Sequence, residues 1–284
     1  MKKSNEIVIK GEPQEVTEIR RQIISSFEDL VFYEENHKYF LHGKELPSVS
    51  AITHRFQEEF DSDGIAENYA LKHGETKQYW LDQWKYNSLK ATTTGTLVHE
   101  FAEGYFWLHN QHKELMPKSC NSKYDKYFKD IIPTRPKEEA VIKCFNDLPK
   151  EYWFVMNETK VYSGLNPISE MNTKEQYCGT FDLLMYYKHP TDDSKSGLII
   201  MDWKTNASLQ NDFSRSKEKM MYEPFSDLYA EALGNYYLQL NLYQIPLEDI
   251  GLKVIGRKIL HLLDDGTYQK YDVPNLTQKL RNAL

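Results

Sequence analysis

Apolar residues recur along this chain with two different spacings, and the change falls near residue 152. Before it the spacing is helical. Val16, Ile19, Ile23, Ile24 and Phe27 share one face of a predicted helix over 14–28. The stretch 64–90, with Trp80 and Trp84, also reads as helix. So do a segment entered through the Thr-rich ATTTGT, starting near Thr94 to Thr96, and one over 137–149. Between the first two lies a hairpin pattern: VFYE, a turn at ENH, KYFLHG, then a loop ending at Pro47. Ser48 or Ser50 is placed to cap a helix that follows. Beyond 152 the pattern is that of strands: YWFVMNETKVYS, TFDLLMYYK and LIIMDWK. A helix through about 227–245, expected to stop before Pro246, and a last hairpin turned at DDG complete the chain.

These elements predict a mixed α/β fold, with a central mixed, largely antiparallel sheet flanked by helices. There is no internal repeat and no Pro/Gly/Ser linker. The expected organisation is a helical and hairpin extension over 1–90 packed on a core over 91–284, in one continuous domain.

Composition narrows the classes. With 284 residues, 40% hydrophobic and 27% charged, the chain can bury a core and is not a disordered sequence. The net charge of −7 gives no global basic field, so a nucleic-acid partner would need a local basic track. A site built from several carboxylates would itself push the balance negative. Cys120, Cys144 and Cys178 are widely spaced and show no CxxC, which argues against a disulfide framework, a zinc ribbon or a cysteine-ligated cluster. The start, MKKSNEIVIKGEPQEV, has no apolar signal region, and no stretch of about 18 apolar residues occurs. A cytoplasmic chain with no membrane partner is expected.

The candidate chemistry lies in one hairpin. Strands 181–188 and 198–204 are joined by the polar HPTDDSKSG. Antiparallel pairing about that loop brings Asp182 opposite positions near 202 to 204. Alternation then puts Asp202 and Lys204 on one face and Trp203 on the other. Facing acids destabilise a sheet unless something cationic lies between them. Lys204 partly serves, and a divalent cation with hard oxygen ligands serves better. Glu158, on the neighbouring strand, adds a third carboxylate; Glu170 and Glu175 are its rivals. Such a site suits phosphodiester hydrolysis through metal-activated water. The plain alternative is a solvated hairpin end with an ion pair worth under about 1 kcal/mol.

Further residues have two readings each. His99 and Glu103 lie one turn apart on a predicted helix, which fits either a satisfied core pair or a ligand. A zinc HExxH motif is excluded because position 103 is Glu. Gln239 and Tyr243 share a helix face. Trp80, Trp84 and Trp107 fit core packing better than base stacking, and Lys160, Arg215, Lys217 and Lys219 are candidates for a basic track.

The run Gly179-Thr180-Phe181-Asp182 followed by Ile200-Met201-Asp202-Trp203-Lys204 resembles the core signature of the PD-(D/E)XK nuclease superfamily. Upstream, Gly95-Thr96-Leu97-Val98-His99 resembles the GxxxH element of its RecB/lambda-exonuclease-like branch. Downstream, Gln239-Leu240-Asn241-Leu242-Tyr243 resembles that branch's QxxxY helix. The resemblance spans residues 95 to 243. The segment 32–53, with PSVSAIT, is similar to one preceding the core in phage-type and mitochondrial genome-maintenance exonucleases. The four cysteines of the branch's iron–sulfur members are absent, so no iron–sulfur cluster is expected, and no helicase motif occurs.

This resemblance implies a restriction-endonuclease-like core and a Mg²⁺-dependent deoxyribonuclease, with Mn²⁺ substituting. It implies metal ligation by Asp182, Asp202, Glu158, His99 and the Trp203 backbone carbonyl, with Lys204 aligning the attacking water. Gln239, Tyr243, Thr205, Asn206, Lys160, Arg215 and Ser48 would meet nucleic acid. The implied partners are single- or double-stranded DNA ends and a single-strand annealing or binding protein. A structure- or site-specific endonuclease on the same fold, and a non-catalytic nucleic-acid-binding subunit, are the alternatives.

Overall fold

The computed structural model describes residues 12–33, 35–109, 135–164 and 175–284. The chain opens with helix α1 (Gln14–Phe27) and strands β1 (Leu30–Tyr33), β2 (Lys38–Leu41) and β3 (Lys44–Leu46), a three-stranded antiparallel sheet. Helices α2 (Val49–Thr53), α3 (Ser62–His73), α4 (Lys77–His109) and α5 (Pro136–Asn146) follow. The main sheet comprises β4 (Tyr152–Tyr162), β5 (Cys178–Tyr187), β6 (Gly197–Lys204), β7 (Val254–Leu262) and β8 (Tyr268–Asp272), in that spatial order. Helices α6 (Asp212–Ser216) and α7 (Ala232–Asp249) lie between β6 and β7, and α8 (Thr277–Ala283) ends the chain. Every neighbouring pair in the main sheet is antiparallel except β6 and β7. The fold is mixed α/β, as the pattern predicts.

The sheet is covered on both faces. Alternate residues of β6 divide between two cores: Leu198 and Ile200 join α1, α2, α7 and α8, while Ile199, Met201 and Trp203 join α4 and α5. The described residues before position 90 are continuous with the first core through Val16, Ile23, Phe27, Leu41, Leu46 and Ile52. Helix α4 runs across position 90 without a break.

Arg20 of α1 shows how firmly that segment is attached. Strand β4 bulges between Phe154 and Met156, which leaves carbonyls out of the ladder. The buried Arg20 guanidinium donates to Val155 O at 2.9 Å and to Phe154 O at 3.3 Å, and its charge is matched by Glu12 at 2.5 Å.

Five features differ from the pattern-based expectations. The loop after KYFLHG contains a third strand, because His42 and Gly43 both adopt positive φ (50° and 81°) and form a two-residue hairpin turn. The helix expected over 64–90 is two helices, split where Gly74 takes φ 73° as a left-handed cap. The Thr-rich run does not start a new helix. Thr93 and Thr96 hydroxyls donate back to Leu89 O and Thr92 O, so α4 continues through them.

Pro246 does not stop α7 either. Proline cannot donate to the carbonyl four residues earlier. That carbonyl, Leu242 O, instead accepts the buried Tyr177 hydroxyl at 2.9 Å. Helix α8 has no counterpart among the expected elements.

Tyr177→Phe should therefore cost about 1–2 kcal/mol by orphaning a buried carbonyl. In a Pro246→Ala background, where the backbone can supply its own N–H, the same change should cost much less. Urea unfolding of the four proteins of this double-mutant cycle checks the coupling.

Candidate metal centre

The β5–β6 hairpin pairs as its loop predicts, with Leu183 opposite Met201 and Leu184 opposite Ile200. Continuing that register brings Asp182 to the end of β6, where its Oδ2 accepts the Trp203 N–H at 2.8 Å. Trp203 turns its indole to the other face, against Phe106. Asp202 lies on the Asp182 side, 1% exposed. Lys204 Nζ is 2.5 Å from Asp202 Oδ2. That ion pair meets Oδ2, while Oδ1, also buried, has no hydrogen-bond partner among the described residues.

Strand β4 supplies Glu158. It is bracketed by the pairs Asn157–Leu183 and Thr159–Phe181, so it falls across from Asp182. Its φ of 43° is left-handed, which a non-glycine side chain rarely adopts. Strained backbone of this kind clusters at functional sites. Asn157 beside it anchors the strand by donating to Glu103 O on α4 at 3.1 Å.

Helix α4 brings His99 in from one side. Its Nδ1 is 3.5 Å from Asp182 Oδ2 and 3.8 Å from Glu158 Oε1. His99, Glu158 and Asp182 each offer a ligand atom within 4.8 Å of the others. A cleft of about 400 Å³ opens over them, lined by Gly95, Thr96, His99, Glu100, Glu103 and Glu158. Three of the side chains expected from the resemblance are brought together in this grouping. His99 stands with Glu158 and Asp182, and Asp202 lies beside them, held by Lys204.

Two glycines admit the flanking helices. A Cβ at Gly95 of α4 would lie 3.3 Å from Thr205 Oγ1, and one at Gly179 of β5 would meet the Tyr243 ring at 2.8 Å and Val49 at 3.0 Å. The spacing from Gly95 to His99 is thus one helical turn, from a close approach to a candidate ligand.

The charges are coupled. Burial works against a charged His99, but Asp182 and Glu158 outweigh it and raise its pKa to about 9. Burial, then the charge of Asp182, pushes Asp202 up to about 7. Burial also raises Asp182, opposed by His99. Burial alone would lower Lys204; the Asp202 and Asp182 carboxylates prevail and hold it above the usual lysine range.

The other sequence-derived residues are placed as follows. Tyr243 is 4% exposed, and its hydroxyl accepts from Gln239 Nε2 at 3.0 Å. The Ser48 hydroxyl caps α2 by accepting the Ala51 N–H. Lys160 donates to Leu30 O, and Arg215 pairs with Glu231 at 2.7 Å. Thr205 O accepts from Lys137 Nζ at 2.6 Å, while Asn206 presents Oδ1 to the Tyr236 hydroxyl and its carbonyl to His261 Nε2. Of Glu158's rivals, Glu175 pairs with Arg55 and Glu170 lies outside the described residues. Trp107 is buried, and Trp80 and Trp84 pack with Tyr69. Lys137, Asn157, Tyr236 and His261 carry no motif; only Tyr236 has a sequence signal, three residues before Gln239 on the same helix face.

Among the described residues no helix is long and apolar enough to cross a membrane. No protein-family model and no curated protein matches the chain. Among solved structures, the crystal structure of SSO0001 is similar over 69% of this chain and 85% of its own, with 11% identity and a TM-score of 0.25. A likeness at that level carries no argument.

In metal-free protein the raised His99 pKa makes its ion pairs a pH-dependent source of stability. The unfolded imidazole titrates near 6.5, so the contribution is complete below that pH and is lost as pH rises through about 9. His99→Gln should accordingly destabilise the protein at pH 6 and cost far less at pH 10, measured by urea unfolding in chelator.

Proposed function

We propose that this chain is a Mg²⁺-dependent deoxyribonuclease of the PD-(D/E)XK kind. It acts in the cytoplasm as an exonuclease on DNA ends in recombination, repair or end processing. The observation that carries this reading is the convergence of His99, Glu158 and Asp182 within 4.8 Å, beside a buried Asp202 whose Oδ2 is met by Lys204 and whose Oδ1 has no hydrogen-bond partner among the described residues. Buried carboxylate oxygens without donors are costly unless a cation meets them. Hard oxygens with one imidazole suit Mg²⁺ or Mn²⁺.

Glu158, Asp182 and His99 would hold the ion, with Asp202 adjoining. When bound, it would lower the pKa of a coordinated water and polarise a phosphoryl oxygen. His99 must first release its proton, so affinity should climb with pH toward 9. Lys204, kept charged by Asp202, orients the attacking water and offsets charge developing on the phosphoryl oxygens. The 3′-oxygen leaves. Gln239 and Tyr243, hydrogen-bonded to each other behind the carboxylates, keep α7 in place against β5.

The test is digestion of 5′- and 3′-labelled linear single- and double-stranded DNA with Mg²⁺, beside a closed circle. Linear DNA should be degraded and the circle spared. Asp202→Ala and Lys204→Ala should each lose at least about 10³-fold in rate with cooperative unfolding retained. Wild-type rates in both variants would sink the assignment. Cleavage of the circle would make the chain an endonuclease, and inactivity on every substrate a binding subunit.

A further inference from the structure

The position of Lys204 depends on more than its strand. Its four-carbon stem is flexible, and at the end of β6 nothing in the backbone dictates where the ammonium points. One side of that ammonium meets Asp202. The other meets the ring of Tyr236, whose centroid is 4.2 Å from Nζ. At that distance the ring face attracts the cation directly.

The ring is itself latched. The Tyr236 hydroxyl donates to Asn206 Oδ1 at 2.9 Å, and Asn206 O lies 2.7 Å from Nε2 of the buried His261. Thr205 O, one residue nearer, is fixed by Lys137. The loop leaving β6 therefore holds the tyrosine, and the tyrosine closes back over the lysine that precedes the loop. Tyr236, Gln239 and Tyr243 occupy one face of α7 at positions i, i+3 and i+7, so the helix that buries Tyr243 against Gly179 also delivers this ring.

We infer that Tyr236 is a positioning residue whose ring face confines the Lys204 ammonium beside the carboxylates. The catalytic consequence rests on the nuclease reading; the contact does not. The aromatic face is the working part, and the hydroxyl serves to aim it.

The experiment has two arms on the full chain. In protein labelled with ¹³C at lysine Cε, the Lys204 signal, identified by its loss in Lys204→Arg, should be shifted upfield by the ring current. Tyr236→Phe should keep that shift and Tyr236→Leu should abolish it. In the second arm, cleavage of linear DNA with Mg²⁺, Tyr236→Leu should lower kcat about 10-fold with KM changed less than about twofold. Tyr236→Phe should stay within about threefold of wild type, since the ring is retained. Thermal unfolding of each variant separates this from a folding defect.

A wild-type Lys204 signal at the position of exposed lysines would overturn the contact. Equal kcat for the leucine variant and wild type, or equal damage from phenylalanine and leucine, would overturn the positioning role. If wild type cleaves nothing, the nuclease reading and the catalytic role fall together, while the spectrum alone decides the contact.

Discussion

Asp182 and Asp202 are buried within reach of each other's charge at the open end of one hairpin, and most of the surrounding architecture answers to that repulsion. Burial raises the pKa of both acids; the charge of Asp182 adds to it at Asp202, and that of Glu158 at Asp182. The neutralising groups come from different directions: Lys204 from the same strand, His99 from α4, and the Trp203 N–H from the backbone between them. Lys204 meets Asp202 Oδ2, but Oδ1 has no hydrogen-bond partner among the described residues. Three carboxylates facing two cationic groups, with one buried oxygen unmet, are the physical basis for the metal-site proposal.

The same demand explains two glycines that would otherwise be puzzling. Gly179 sits in a strand interior, where glycine weakens pairing, yet any side chain there would run into Tyr243 and Val49. Gly95 sits inside a helix, at a cost near 1 kcal/mol relative to alanine, yet a side chain there would crowd Thr205. Each position loses intrinsic propensity so that a helix can come close enough to place His99 on one side and α7 on the other.

Much of this was legible in the residues. The polar loop between two apolar runs predicts the β5–β6 register, and the acids follow from it by alternation. The spacing of Gly95 and His99, and of Gln239 and Tyr243, places each pair on one helix face. What was hidden depended on partners distant in sequence. Pro246 stays within α7 only because Tyr177 serves the freed carbonyl, a relation 65 residues long. The left-handed backbone of Glu158 has no local signature, so its orientation toward His99 and Asp182 could not be read from the residues. Tyr236 was hidden because an aromatic residue at helical spacing is normally core. His42-Gly43 did carry a turn signal, but β3 is three residues long, too short for alternation to register.

Arg20 and the bulge of β4 have a kinetic consequence. The guanidinium spans 135 positions to reach Val155, three residues before the strained Glu158. Loop closure over such a distance is entropically expensive and must come before any local reward. Without α1 these carbonyls would have no donor from Arg20, so the strand carrying Glu158 depends on a helix far away in sequence. A nascent chain emerging from the ribosome has α1 in hand long before the strand it must cap exists. Truncating α1 would thus reach the site through β4, although no residue of that helix lines it.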